Sequence, residues 1–289
     1  MAFDSTLAIC ICTRHRAEDL RRALQSIADS PRLPDQVIVS DDGQDGRTSE
    51  SVAAEFPFAL YQRGPRIGLG ANRNACLAVV KTAFVCFIDD DVALPPSFLP
   101  LAYRLCETSG RTSPQPLISG IEFKHITPGQ SPVRVEPHNA DFWGFQRLKP
   151  SGELKAMVIN AGIFPMELFR KAQFDPLLRY GSEEIDMIRH AYSLGYRVQF
   201  EPELWVDHYP SPVNRNEYAS VVDASRMYTT AKDYLKYQRN IGRFLLFGLF
   251  APPKLAVALT RRYGLKGLHA AIHATTLALQ YGAKSWQRR

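Results

Sequence analysis

The sequence is poor in cysteine: there are five, at positions 10, 12, 76, 86 and 106, and none forms a Cys-x-x-Cys pair. An odd, unpatterned set builds no disulfide framework, and a chain of 289 residues needs none, because folding at that length buries most of the surface the unfolded chain exposes. Reduced thiols in apolar positions are expected, as in a cytosolic protein. Cys10 and Cys12 share one face of an expected strand, where a two-thiol metal site is conceivable, but reduced apolar thiols are the plainer reading. Long apolar runs are also missing. The longest, Phe244 to Pro253, is well short of the roughly 20 residues of a spanning helix, so the chain is expected not to cross a membrane by itself. The opening MAFDSTLAICICTR lacks a basic stretch leading into an apolar run, which argues against a signal peptide. Acidic residues are scarce towards the far end. Residues 217–289 hold 12 Lys and Arg against 3 Asp and Glu, although the whole chain has a formal net charge of only +6. The first 216 residues are therefore slightly acidic, and the basic end is expected to face an anionic partner.

What is present has a clear order. Leu7 to Cys12 is a β-rich apolar run, and Glu18 to Ala28 then puts Leu20, Ala23, Leu24, Ile27 and Ala28 at helical spacing. Pro31 and Pro34 close that helix, and Gln36 to Ser40 reads as a second strand. A helix near Ser49 to Phe56, a strand near Phe58 to Gln62, a helix near Ala71 to Thr82 and a strand at Phe84 to Ile88 follow. Alternating helices and fully apolar strands predict an α/β fold, a mostly parallel sheet with helices on both faces. Residues 113–153, rich in Pro, Gly and isolated aromatics, read as long loops with short strands that shape a substrate pocket. From Met157 a strand runs into Asn160-Ala-Gly, with a short helix from Pro165. A helix from Glu183 stops at Gly195, and strands at Arg197 to Phe200 and Leu204 to Val206 lead to Asp207-His208. Composition changes after Pro210 and Pro212. The expected division is a catalytic domain over 1–212, with halves 1–112 and 113–212, and a basic helical extension over 213–289.

Ligands of such sheets bind outside the carboxyl ends of the strands. Three polar clusters fall there: Thr13-Arg14, Asp41-Asp42-Gly43 and Asp89-Asp90-Asp91. Three adjacent carboxylates repel one another unless a cation or solvent relieves them. Asp89 and Asp91, alternate along the chain, are expected on one side, a fitting start for Mg²⁺ or Mn²⁺, which takes oxygen ligands and shares its shell with phosphates and water; a solvated acidic turn is the plainer reading. Glu183, Glu184 and Asp186 open a helix, where acids also simply satisfy backbone donors and the dipole. In the tail, RMYTTAKDYLKYQRNIGRFLLFGLF and KLAVALTRRYGLKGLHAAIHA mix aromatic, aliphatic and basic residues. Two readings stand, helices packed on the catalytic domain and a membrane-surface segment meeting anionic headgroups. No nucleic-acid motif accompanies the basic charge.

Four stretches, in order, resemble glycosyltransferase family 2: CTRHRAEDLRRALQSI; VIVSDDGQDGRT, with Gln44 where the family usually has Ser; GLGANRNACLAVVKTAFVCFIDDDV; and FDPLLRYGSEEIDMIRHAYSLGYRVQFEPELWVDH, with Glu-Glu where Glu-Asp is commoner. The resemblance spans roughly residues 6–212 and implies a GT-A fold and an inverting, metal-dependent transfer. It places Thr13 and Arg14 against the nucleotide, Asp41 or Asp42 at the base, and Asp89 and Asp90 on the donor side. Asp89 and Asp91 would serve the metal with His208 as a further ligand, and Arg66 and Arg73 would contact the pyrophosphate. Glu184 stands at the place of the catalytic base, with Glu183 its rival. The expected reaction moves a single sugar from a UDP- or dTDP-sugar, with Mn²⁺ or Mg²⁺, to a glycan or lipid-linked acceptor hydroxyl. Processive synthases of this family carry spanning helices and a Gln-x-x-Arg-Trp motif, which this sequence lacks. A cytoplasmic protein is expected, peripheral on the inner face of the cytoplasmic membrane or using its tail for packing or an oligomer contact. Two rivals are a nucleotidyltransferase, which normally has a Gly-rich loop where CTRHRAED stands here, and a non-catalytic sugar-nucleotide binder.

Overall fold

The computed structural model describes residues 4–110, 112–147, 153–211 and 215–287. Its first part alternates β1 (Leu7–Thr13), α1 (Ala17–Ala28), β2 (Gln36–Asp41), α2 (Arg47–Ala54), β3 (Ala59–Arg63), α3 (Leu69–Leu77) and β4 (Phe84–Asp89). All seven residues of β1 are buried, because successive side chains enter opposite layers. Leu7, Ile9 and Ile11 pack with Leu20, Leu24 and Ile27 of α1. Ala8, Cys10 and Cys12 join Cys76 of α3 on the other face. The five cysteines are buried and free, as expected.

The chain continues through β5 (Val92–Ala93), α4 (Phe98–Ser109), β6 (Leu117–Lys124), β7 (Val133–Val135), β8 (Asn139–Ala140), β9 (Gln146–Arg147), β10 (Gly162–Pro165) and α5 (Met166–Phe169). Then come α6 (Glu183–Ser193), β11 (Val198–His208), α7 (Arg215–Lys232), α8 (Ile241–Tyr263) and α9 (Leu265–Gln287). One sheet has the order β3-β2-β1-β4-β10-β6-β11-β5, with β7 added to β6. Strands β1 to β4 pair in parallel. β10 runs antiparallel between β4 and β6.

Residues 113–153 are loops with short strands, and the longest of these, β6, lies inside the sheet with its first six residues buried. Helix α4 was not foreseen. The two strands read before His208 are one strand, β11, whose register against β6 shifts between Phe200 and Trp205. Gly120 makes this shift feasible, because a Cβ there would come 1.8 Å from the Leu204 carbonyl oxygen.

The boundary placed at 212–213 lies outside the described residues. Beyond it, α7, α8 and α9 close a third core around Tyr228, Phe247 and Tyr281, joined by Leu177 and Leu178 from before α6. Lys232 fastens the contact, donating to Asp175 at 2.7 Å and Asp186 at 2.6 Å. Burial alone would depress its ammonium, but the charges of Asp186 and Asp175 hold its pKa well above the ordinary lysine range. The opposite faces of α8 and α9 expose Ile241, Leu245, Leu249, Phe250, Leu265 and Leu279. Pro253 and Lys254 end the apolar run but not the helix, and α8, at 23 residues, is long and apolar enough to cross a membrane.

Candidate active site

The polar clusters at the carboxyl ends of β1, β2 and β4 meet in one cleft of about 400 Å³. Its wall includes Thr13, Arg14, Asp42, Asp89, Asp90, Asp91 and His208, all singled out in the sequence, together with Arg16, Lys124, Arg179 and Tyr180, which were not. Thr13 donates its hydroxyl to Asp90 at 2.7 Å, and Arg16 reaches Asp90 at 3.1 Å and Asp91 at 3.4 Å. Burial raises Asp90 to about 7 despite the Arg16 charge. Asp90 thus ties the loop after β1 to the end of β4.

The structure separates Asp41 from Asp42. Asp41 is fully buried and accepts the Gly43 N–H at 2.7 Å, turning the chain after β2. Asp42 faces the cleft and accepts the N–H groups of Arg66 at 2.6 Å and Gly68 at 3.0 Å. Gly68 has φ +124°, and a Cβ there would lie 2.5 Å from the Arg179 Cα; only glycine suits this crossing. Arg66 contributes its backbone, while its exposed side chain is not part of the cleft wall. Arg73 is not on the wall either. It is buried, pairing with Glu183 at 2.9 Å and Asp89 at 3.4 Å. Arg14, Arg16 and Arg179 are the arginines on the cleft wall.

The same arrangement separates the two glutamates. Glu183 is committed to Arg73. Glu184 has no ion pair among the described residues and is only partly buried by surface. Burial, reinforced by the Glu183 charge and opposed by Arg73, lifts its carboxyl to about 8. Gly181 and Ser182, both at positive φ, turn the chain so that α6 begins at Glu183. Neither glutamate is on the wall of the cleft itself, but Glu184 lies close enough to Asp89 for that charge to act on it. Asp186 does not merely start the helix, as it receives Lys232 from α7.

His208, at the end of β11, stands between two carboxylates. Its Nδ1 is 2.7 Å from Glu122 Oε1, and its Nε2 is 3.1 Å from Asp91 Oδ1. Burial lowers the imidazole pKa, but the two carboxylates overcome this and raise it to about 9. Glu122 feels burial in the other direction, yet His208 and Lys124 bring it to about 2. Asn160 donates to Glu122 at 2.9 Å and accepts the Asp89 N–H at 3.0 Å. Glu122 was missed because it falls in the segment read as long loops with short strands, where no motif marked it. Among the described residues no three His, Cys, Asp or Glu side chains form a ready-made metal cage. Two do fit an ion that completes its shell elsewhere. Asp91 Oδ1 is buried, and the group facing it is the His208 nitrogen. Ligands about 2.1 Å from one ion and at right angles to each other stand about 3 Å apart. Asp89 is turned towards Arg73 and Asn160 instead.

A family model, Glycosyl transferase family 2, matches residues 8–170, from β1 through α5. The chain belongs to glycosyl transferase family 2. It is a glycosyltransferase, and the match takes in Thr13, Asp42 and Asp89 to Asp91 while leaving α6 and His208 outside. Among solved structures, that of S. aureus TarS 1–349 in complex with UDP-GlcNAc is similar, with a TM-score of 0.61 and 13% identity. The alignment covers 96% of this chain and 92% of that one, so the likeness extends over the C-terminal helices. At that identity it shows the fold, which is of GT-A type. No curated protein matches the sequence.

Proposed function

We propose that this glycosyltransferase moves one sugar from a UDP- or dTDP-sugar to a hydroxyl of a glycan or lipid-linked acceptor, with inversion at the anomeric carbon. The observation that carries the reading is the meeting of Thr13, Arg14, Asp42 and Asp89 to Asp91 in one cleft, with an uncommitted, proton-accepting carboxylate, Glu184, near Asp89. TarS, similar in fold, binds UDP-GlcNAc in its crystal, which supports a nucleotide-sugar donor here.

Thr13, Arg14 and Asp42 hold the nucleotide, Asp42 as hydrogen-bond acceptor. Arg16 and Arg179 face the diphosphate. Asp91 and His208 would hold Mn²⁺ or Mg²⁺, which when bound supplies charge that stabilises the departing diphosphate. Glu122 orients His208 through its other ring nitrogen, as carboxylates behind metal-binding histidines do. Glu184 takes the acceptor proton as the hydroxyl oxygen attacks the face opposite the diphosphate. Glu183 and Arg73 fix the start of α6, so that the base is positioned by a buried ion pair.

The acceptor is proposed to wait at an anionic membrane surface. From 234 to 289 the chain has ten Lys and Arg and no Asp or Glu, and α8 and α9 present exposed apolar side chains beside that charge. The test of donor chemistry is a panel of nucleotide sugars screened by thermal shift with and without Mn²⁺, since a ligand of the native state raises its stability. One donor should stand out, and only with metal. If no nucleotide sugar shifts the melting temperature and none is hydrolysed, the donor reading fails.

A further inference from the structure

A second cavity, of about 600 Å³, opens at the far end of α6, walled by α6, the β8 strand, the turn between α7 and α8, and the first turn of α8. Its residues belong to none of the functions assigned above. Arg189 is central to it. Its side chain is only 8% exposed, its Nε lies 3.6 Å from Asp233, and its Nη1 is buried with no hydrogen-bond partner. A buried donor left unmet is costly, and here it belongs to a group on the cavity wall.

Three carboxylates and three cations line this wall, and the carboxylates are the more engaged. Asp141 is spent on the N–H groups of Trp143 and Phe145. Glu153 pairs with Arg197. Asp233 accepts from Gln238 at 2.7 Å in addition to facing Arg189. The cations are less engaged. Lys155 has the ring of Tyr192 beneath its ammonium, at 5.0 Å, and its charge reaches Asp233 without a direct contact. Arg243 donates to the neutral Gln238 side chain, and neither forms an ion pair among the described residues. Tyr192, Tyr234 and Tyr237 add aromatic rings carrying hydroxyls, surfaces that suit a ligand with both apolar and polar faces.

We infer that this cavity is a second saccharide site, which binds a sugar unit bearing a carboxylate or phosphate through Arg189 and Lys155. The inference rests on the transferase reading for its biological sense, since a remote acidic sugar of the acceptor would be held here while its hydroxyl reaches the base. Arg189 lies five residues along α6 from Glu184, about 7.5 Å of helix rise. A planar guanidinium is suited to oxyanions, and the exposed Lys155 adds charge at the mouth.

The test uses the full chain with saturating UDP, so that the donor cleft is filled, and calorimetric titration with three probes. These are a glucuronate-containing tetrasaccharide, a glucose phosphate and neutral maltotetraose. The acidic probes should bind at least tenfold more tightly than the neutral one, and the stronger of the two tells carboxylate from phosphate. Lys155→Gln, at an exposed position, should weaken acidic-probe binding several-fold. Arg189→Gln combined with Asp233→Asn, which removes both members of the pair and leaves no lone buried charge, should abolish it. UDP binding should be unchanged in both variants. Equal binding of neutral and acidic probes, binding of none, or acidic binding indifferent to both variants overturns the inference. Failure of UDP to bind while the acidic probes do would count against the donor reading and leave this site standing.

Discussion

Glu184→Gln should change rate and stability in opposite directions. In the unfolded chain this carboxyl ionises near the ordinary 4.5, and in the folded protein near 8. The folded state therefore holds the proton more tightly, and this group's contribution makes folding less favourable as pH rises from 4.5 to about 8. At 1.36 kcal/mol per pH unit the ceiling is about 5 kcal/mol at pH 8 and about 3 kcal/mol at pH 7. The side chain is partly open to water, which screens the penalty, so a stabilisation of about 1–2 kcal/mol is expected in the glutamine variant at pH 8, and none below pH 4.5. The rate should fall by at least about 10²-fold, because an amide cannot accept the acceptor proton. In the parent enzyme, kcat/KM should rise with pH through an apparent value near 8, and that rise should vanish in the variant. Urea unfolding and transfer kinetics from pH 5 to 9 measure both. Loss of less than tenfold in rate, or an unchanged pH profile, refutes the assignment. Glu183→Gln is the control. It removes the close partner of the buried Arg73 and should lower stability, so a variant that folds well yet loses the base-dependent pH limb would mean that Glu183 is the base.

Asp91→Asn should abolish Mn²⁺ binding, read by calorimetry with UDP present, while the far-ultraviolet spectrum stays the same. Glu122→Gln should weaken Mn²⁺ by about 10–100-fold, since the orienting carboxylate of a metal-bound histidine is lost. Affinity in the parent should improve as pH rises towards 9, because His208 must shed its proton to ligate. Lys232→Met strands Asp175 and Asp186 and should cost about 3–5 kcal/mol in denaturant unfolding; a loss under 1 kcal/mol would show that the pair does not anchor the tail. The folded protein should sediment with anionic vesicles in low salt and be released as salt rises, and absence of binding at low salt would leave α8 and α9 as packing or oligomer surface.

The sheet was legible because its strands are apolar throughout and its helices keep one stripe: Leu20, Leu24 and Ile27 in α1 are buried as their spacing indicates. The acidic clusters were legible because topology alone sends the ends of β1, β2 and β4 to one edge. What the chain order could not reveal was pairing between distant residues. Arg73 and Glu183 are 110 positions apart and Glu122 and His208 are 86 apart, so their partnerships follow from packing. Strand β6 falls in a segment whose Pro and Gly blur its periodicity, and one of these, Gly120, is in the fold the close approach to Leu204.

The extension reaches the site itself. Val222 of α7 lies on the wall of the donor cleft, and Lys232 binds Asp186, two residues along α6 from Glu184. Helix α6 therefore carries three loads along its length. Glu183 and Glu184 face Arg73 and the sheet edge, Asp186 takes the tail, and Arg189 faces the second cavity. Since 3.6 residues complete a turn, these side chains fan out around an eleven-residue helix whose Met187 and Ile188 are held in the core. The helix is thus fixed by packing on one side and by ion pairs at three points. Removing the tail would leave Asp186 buried beside an empty contact and loosen the element that aims the base. Donor binding, which draws on Thr13, Arg14 and Asp42 in the first part of the chain, should suffer less than transfer.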